Sequence, residues 1–180
     1  MMGSIFSKMT GETQSPPRVG AGEIFWSWLG GFLGIAAVAY VNDGFLEKTD
    51  LVLIIGSFGA SAVLIYGAIK SPLAQPRNLI GGHIISAFIG VSAWKLLFVA
   101  PWLAAALAVS VSIAVMHLTK TLHPPGGATA LIAVIGGPKI HHLGYFYVLM
   151  PVVAGAFIML IVALLVNNLA PTRRYPEYWF

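Results

Sequence analysis

The chain has 180 residues, 58% hydrophobic and only 9% charged, with a mean hydropathy of +0.85 and a formal net charge of +4. A soluble domain uses about a quarter charged residues to cover its surface, so this composition excludes water as the main solvent and points to a lipid bilayer. The absence of cysteine excludes disulfides and thiol chemistry, and the basic residues fall between apolar runs, where they set orientation and imply no nucleic-acid partner.

Lipid leaves only helices or a closed barrel, because backbone groups there must be paired internally. Barrel strands alternate in polarity, whereas runs such as 51–69 are continuously apolar, which predicts an all-α membrane protein. Residues 1–22 read as a polar, loop-like cytoplasmic tail containing Pro16 and Pro17. The first apolar run lacks a small-residue cleavage site, so a retained first helix is expected. Residues 23–171 form the transmembrane domain and 172–180 a second cytoplasmic tail. Five runs, 24–41, 51–69, 79–98, 102–118 and 144–170, can each cross a core of roughly 30 Å. A sixth, 124–137, spans only about 21 Å as a helix, and is either a re-entrant half-helix or a short crossing. About six transmembrane helices are therefore expected, five full-length and one short.

Charge distribution separates the two topologies. Six crossings put Lys8, Arg18, Lys70, Arg77, Lys120, Arg173 and Arg174 on the side of the N-terminus and leave Lys48, Lys95 and Lys139 opposite. Five crossings move Lys139 across and send Arg173 and Arg174 outward, a weaker asymmetry. Six crossings with both termini cytoplasmic are preferred, which places the acidic stretch with Asp43, Glu47 and Asp50 outside. Small residues recur at four-residue spacing (Gly30 and Gly34; Gly82, Ser86 and Gly90; Ala104, Ala108 and Ser112), a pattern that lets helices approach closely. Two units also share the order helix, proline-broken loop, helix. One is centred on Ser71-Pro72-Leu73-Ala74-Gln75-Pro76-Arg77-Asn78, the other on Thr121-Leu122-His123-Pro124-Pro125-Gly126-Gly127-Ala128-Thr129. Six crossings put both loops on the cytoplasmic side.

The second loop is the most unusual segment. Pro124 and Pro125 forbid continuation of the preceding helix but suit the first turn of a new one. Gly126 and Gly127 leave that turn open to close approach, and the helix dipole there favours a negative group. An ordinary surface turn is the competing reading. The first loop supplies similar parts in Arg77, Asn78 and, one turn on, His83. If the loops meet, two helix N-termini, Arg77 and His123 converge as broken transporter helices do on an anionic substrate. The expected substrate-binding set is Arg77, Asn78, His83, His123, Pro124, Pro125, Gly126, Gly127 and Thr129.

All six acidic residues, Glu12, Glu23, Asp43, Glu47, Asp50 and Glu177, fall in tails, loops or span edges, which argues against cation transport. Proton coupling, if present, falls to His83, His117 or His123. No metal site is expected: His117 and His123 lack helical pair spacing, and His141 and His142 diverge. Ser110 and Ser112 have no evident base, so neither an enzyme nor a cofactor is expected.

The segment His123-Pro124-Pro125-Gly126-Gly127-Ala128-Thr129-Ala130-Leu131 resembles the signature of the HPP family of integral membrane proteins. The Ser71 to Asn78 loop with Gly81-Gly82-His83, the pair Asn167-Asn168, and Arg173-Arg174-Tyr175-Pro176 with Tyr178-Trp179 resemble it too. The resemblance covers most of the chain after about Trp26. It implies transport of nitrite, which some family members are implicated in carrying. The resulting expectation is a permease or channel for a small anion, most readily nitrite, assembled as a homo-oligomer in the bilayer. The alternative is a non-transporting membrane scaffold or assembly protein. With no transit peptide in sight, a bacterial inner membrane is the expected home.

Overall fold

A computed structural model describes residues 7–9, 13–46 and 51–180. Of the residues named above, Glu12, Glu47, Lys48 and Asp50 lie outside the described residues. The described chain is all-helical. Helix α1, Ala21–Val41, runs on through a π-helical turn, Asn42–Leu46; α2, Ser57–Ala62, is prolonged by another, Val63–Gly67. Then come α3, Pro76–Leu97, α4, Pro101–Leu118, α5, Pro124–Ile135, and α6, Gly137–Leu143. The last, α7, Ala154–Leu169, is entered through the turn Val148–Val153.

Four of these segments are long and apolar enough to cross a membrane (Ala21–Leu46, Pro76–Leu97, Pro101–Leu118 and Val148–Leu169), while Ser57–Gly67 and Pro124–Ile135 are shorter apolar helices. The six expected segments are present, but four are long and two short, against the expected five and one. The difference lies in run 51–69, which is helical only from Ser57. Residues 51–55 are not helical, and the Asn42 side chain reaches them: its Oδ1 accepts from the Leu53 N–H at 2.8 Å and the Ile54 N–H at 3.4 Å. Two amides without helical partners are thereby satisfied. Hydropathy is equally high for helix and buried non-helical chain, so the sequence did not separate them.

Chain direction follows from cross-contacts. Glu23 at the start of α1 pairs with Arg173 beyond the end of α7, so these helices are antiparallel. At the same end, Arg77 Nη2 donates to the Thr119 carbonyl at 2.7 Å, Asn78 Nδ2 to Leu122 O at 2.8 Å, and His123 Nδ1 to Leu73 O at 2.8 Å. The two proline-broken loops therefore lie on one face and touch. Arg18, Lys70, Arg77, Lys120, Arg173 and Arg174 gather at that face, with Lys95 and Lys139 toward the other, as six crossings require. Segment 124–137 leaves the loop face with α5, and α7 returns to it, so the chain crosses in between.

The small-residue stripes are buried contacts. A Cβ on Gly30 would stand 2.7 Å from the Tyr66 ring, which lies across α1 while its hydroxyl donates to Met159 O at 2.9 Å. On α3, a Cβ on Gly82 would meet His123 Cβ at 2.6 Å, and one on Gly90 would meet the Ala130 carbonyl at 2.5 Å. Ala104, Ala108 and Ser112 are fully buried on α4. Without these glycines α3 and α5 would be held apart.

Residues 172–180 fold back as a strap. Arg173 donates to Glu23 Oε1 at 2.7 Å and Oε2 at 3.0 Å, to Ser27 Oγ at 2.7 Å, to Tyr66 O at 3.1 Å and to Asn167 Oδ1 at 3.0 Å. Farther on, the Tyr175 hydroxyl donates to Ala74 O at 2.7 Å, the Glu177 N–H to Gln75 Oε1 at 2.9 Å, and the Tyr178 hydroxyl to Pro72 O at 3.0 Å. Burial pushes the Tyr175 phenol pKa above its ordinary value, which keeps the hydroxyl a donor. The strap thus fixes the Pro72–Ala74 turn between α2 and α3.

Candidate functional site

The two short helices meet in the interior. Ser57 and Ser61, four residues apart, share one face of α2. They face α5, which runs antiparallel: Ser57 opposes Thr129, and Ser61 opposes His123, the residue that precedes Pro124 and begins the helix. From α3, His83 inserts between them. Ser61, His83, His123 and Thr129 are wholly inaccessible to solvent and Ser57 nearly so.

The five side chains form one continuous hydrogen-bonded array. Ser61 Oγ lies 2.9 Å from His123 Nε2 and 2.8 Å from His83 Nε2, bridging the two rings. His83 Nδ1 lies 2.7 Å from Thr129 Oγ1, which is 2.8 Å from Ser57 Oγ. At the other end, His123 Nδ1 meets the Leu73 carbonyl at the strap-held turn. The imidazoles are edge to face with centroids 5.0 Å apart, and the Phe58 ring closes the far side of His83 at 5.5 Å. The Tyr147 hydroxyl donates to the Thr129 carbonyl at 3.1 Å and pins α5 from outside the array.

Valence fixes how protons can be arranged. A carbonyl only accepts, so His123 Nδ1 carries a proton. If both rings are neutral, His123 Nε2 must accept from Ser61, Ser61 must accept from His83 Nε2–H, and His83 Nδ1 must accept the Thr129 proton. The second ordering directs the Thr129 proton to Ser57. His83 then donates through Nδ1, Ser61 donates to His83, and His123 donates through both nitrogens. The two orderings differ by one proton, and every member keeps its partners in both.

Three of the expected site residues, His83, His123 and Thr129, are brought together here. Arg77 is instead held on the Thr119 carbonyl at the loop contact. Asn78 sits beside it with Oδ1 buried and without a hydrogen-bond partner. Pro124 is exposed and Pro125 buried. The Gly126 N–H donates to His123 O at 2.8 Å, and a Cβ there would lie 2.8 Å from Ser86 Oγ and 2.9 Å from Gly82 O, so Gly126 is where α3 and α5 touch. Gly127 borders an apolar cleft of about 530 Å³ between α4 and α5, which exposed His117 also lines. His141 lies apart, stacked on Trp94 at 3.8 Å. Among the described residues no three His, Asp or Glu side chains converge as a metal site would need. Sequence reasoning missed Ser57 and Ser61, whose signal was two hydroxyls at helical spacing inside an apolar run.

Residues 16–176 match the family described as HPP, transmembrane region. Two transmembrane proteins of Dictyostelium discoideum are each 47% identical to the chain, one match covering 97% of this chain and 57% of the relative, the other 95% and 61%. The chain thus spans roughly three fifths of the length of these curated relatives. No solved structure matches it.

Proposed function

The chain belongs to the HPP transmembrane family, and from that premise we propose that it is a permease or channel for a small inorganic anion, nitrite first among them. The observation that carries this reading is the buried array at the meeting of the two short helices. Its lining is imidazole and hydroxyl, with no carboxylate in its hydrogen bonds. Among the described acidic residues, Glu23 is held by Arg173, while Asp43 and Glu177 are exposed. A cation would find no counter-charge from the described residues on this array; a small anion would find N–H and O–H donors in a setting where hydrogen bonds to charged groups are strong. Nitrite enters through the family resemblance, and its acceptor oxygens suit such donors.

In this reading His83, His123 and Thr129, with Ser57 and Ser61, form the constriction. Arg77, Asn78 and the Gly126-Gly127 turn form its mouth, where Arg77 adds fixed positive charge. The loop face carries most of the described basic residues and is therefore proposed to be cytoplasmic, whichever bilayer houses the chain.

The test is nitrite flux into liposomes containing purified protein, with nitrate, formate and chloride as competitors. Selective flux that falls in Arg77→Ala and in Ser61→Ala, both still folded, is expected. Folded, correctly oriented protein that moves no small anion, with or without a pH gradient, would remove the permease reading and leave the scaffold in its place.

A further inference from the structure

We propose that the array Ser57, Thr129, His83, Ser61, His123 is a proton wire that couples anion passage to movement of a proton through the bundle. This rests on the permease reading and adds its driving force. The geometry is that of a relay: each contact between neighbouring members is 2.7 to 2.9 Å, and Thr129, His83, Ser61 and His123 each have a partner on both sides, while Ser57 ends the row on Thr129.

The transfer balances atom by atom, starting from the neutral ordering, in which the Ser57 hydroxyl has turned to donate to Thr129, the reverse of the Thr129 to Ser57 bond in this structure. A proton arriving at Ser57 Oγ displaces the Ser57 hydrogen to Thr129, whose own hydrogen passes to His83 Nδ1. His83 gives its Nε2 proton to Ser61, and Ser61 gives its original hydrogen to His123 Nε2. One proton has entered, His123 holds it as imidazolium, and no group is left with a broken valence. The Nδ1 proton of His123 leaves when water or the anion itself replaces the Leu73 carbonyl as acceptor. In this structure that exit is closed, because Leu73 O occupies Nδ1 and the strap holds the turn through Pro72, Ala74 and Gln75. The starting order returns when the three hydroxyls rotate, both imidazoles go back to their first tautomers (His83 Nε2–H, His123 Nδ1–H) by proton exchange with the water that replaced the Leu73 carbonyl, and the turn closes again.

The ionisable groups in contact with the wire are its own two imidazoles and Tyr147, which reaches only the Thr129 carbonyl. Arg77 from α3 and Tyr175 from the strap lie at the loop contact, on the carbonyls of Thr119 and Ala74. Among the described residues no acidic side chain is bonded to any member, so an excess proton finds no carboxylate there and is balanced by the travelling anion.

Two measurements on the full chain test this. In proteoliposomes carrying an internal pH dye, nitrite uptake should bring proton uptake in step with it. Ser61→Ala lowers nitrite flux as a constriction variant, and in the flux that remains the number of protons carried per nitrite should fall and pH-driven accumulation should be lost. Nitrite flux without proton movement, or coupling that survives Ser61→Ala, overturns the wire and leaves the permease standing; no nitrite flux at all removes the permease and the coupling with it. The second measurement needs no flux: ¹⁵N spectra of histidine-labelled protein in nanodiscs. On acidification, His123 should gain its second proton and His83 should change from the Nε2–H to the Nδ1–H tautomer together. In Ser61→Ala the two changes should separate. A His83 tautomer that stays fixed while His123 titrates in the wild type refutes the relay.

Discussion

Neighbouring arginines in the strap give the sharpest energetic prediction. Arg173 has a side-chain exposure of 1% and donates to Glu23, Ser27, Tyr66 and Asn167, tying α1, the end of α2 and α7 together. Arg174, the next residue, is exposed. Arg173→Ala leaves the Glu23 carboxylate, the Tyr66 carbonyl and Asn167 Oδ1 without their donor. Removing one partner of a buried, hydrogen-bonded ion pair costs about 3–5 kcal/mol, and the lower end applies here because the Glu23 side chain, 32% exposed, can take up water. For a chain of this length each kcal/mol moves the transition by about 2–4 °C, so the apparent Tm in detergent should fall by about 6–12 °C. Arg174→Ala should stay within about 0.5 kcal/mol of wild type. Arg173→Lys should fall between, because an ammonium cannot present the planar fork that spans Glu23 and the helix carbonyls. Equal Tm values for the two alanine variants, measured by tryptophan fluorescence and by size-exclusion after heating, would refute the claim that the strap is a structural clamp.

Two further substitutions separate packing from local backbone. Gly126→Ala should destabilise by about 1–3 kcal/mol, since its Cβ meets Ser86 Oγ and the Gly82 carbonyl, whereas Gly127→Ala, whose nearest neighbour is Val109 at 3.8 Å, should be tolerated; the comparison is thermal stability of the pair, and equal losses contradict the α3–α5 contact. Lys120 has φ of +57° where α4 ends, with the Thr121 N–H on Met116 O at 2.9 Å, so Lys120→Gly should raise stability by about 1 kcal/mol, read as a small upward Tm shift. A lower Tm there would mean that the lysine side chain contributes more than its backbone conformation costs.

How much could be read in advance depended on the range of the interactions. Continuous apolar runs gave the long helices directly, because in lipid a helix satisfies its own backbone and needs little else. The start of α2 was hidden, since what satisfies the non-helical stretch before it is Asn42, eleven positions before Leu53, and no window average sees it. His83, His123 and Thr129 stood out as polar residues in or beside apolar sequence. Ser57 and Ser61 did not, because serine is small enough to pass for a packing residue. Arg173 looked like an orientation charge, and its buried partner lies 150 positions away. The loop contact was legible only as a condition, namely that six crossings put both loops on one side. Which side chains make that contact, and that Arg77 turns to a carbonyl, required the fold.

The array also bears on the choice between permease and scaffold. Five polar side chains removed from water lose their hydration, and the hydrogen bonds they make to one another return little net stability, so an apolar core of the same shape would hold α2, α3 and α5 together at least as well. Elsewhere the same helices are joined by glycine, alanine and aliphatic contacts, as at Gly90 with Ala130 and Ala133, which shows that this bundle closes without polar groups. In the scaffold reading nothing uses the two imidazoles bridged by one hydroxyl where the two short helices meet. A conducting path does: it needs polar groups at depth, a backbone interrupted there, and partners that can exchange without leaving any group unsatisfied. The start of α2 at Ser57 and the restart of the chain at Pro124 bring all three conditions to one place in the permease reading.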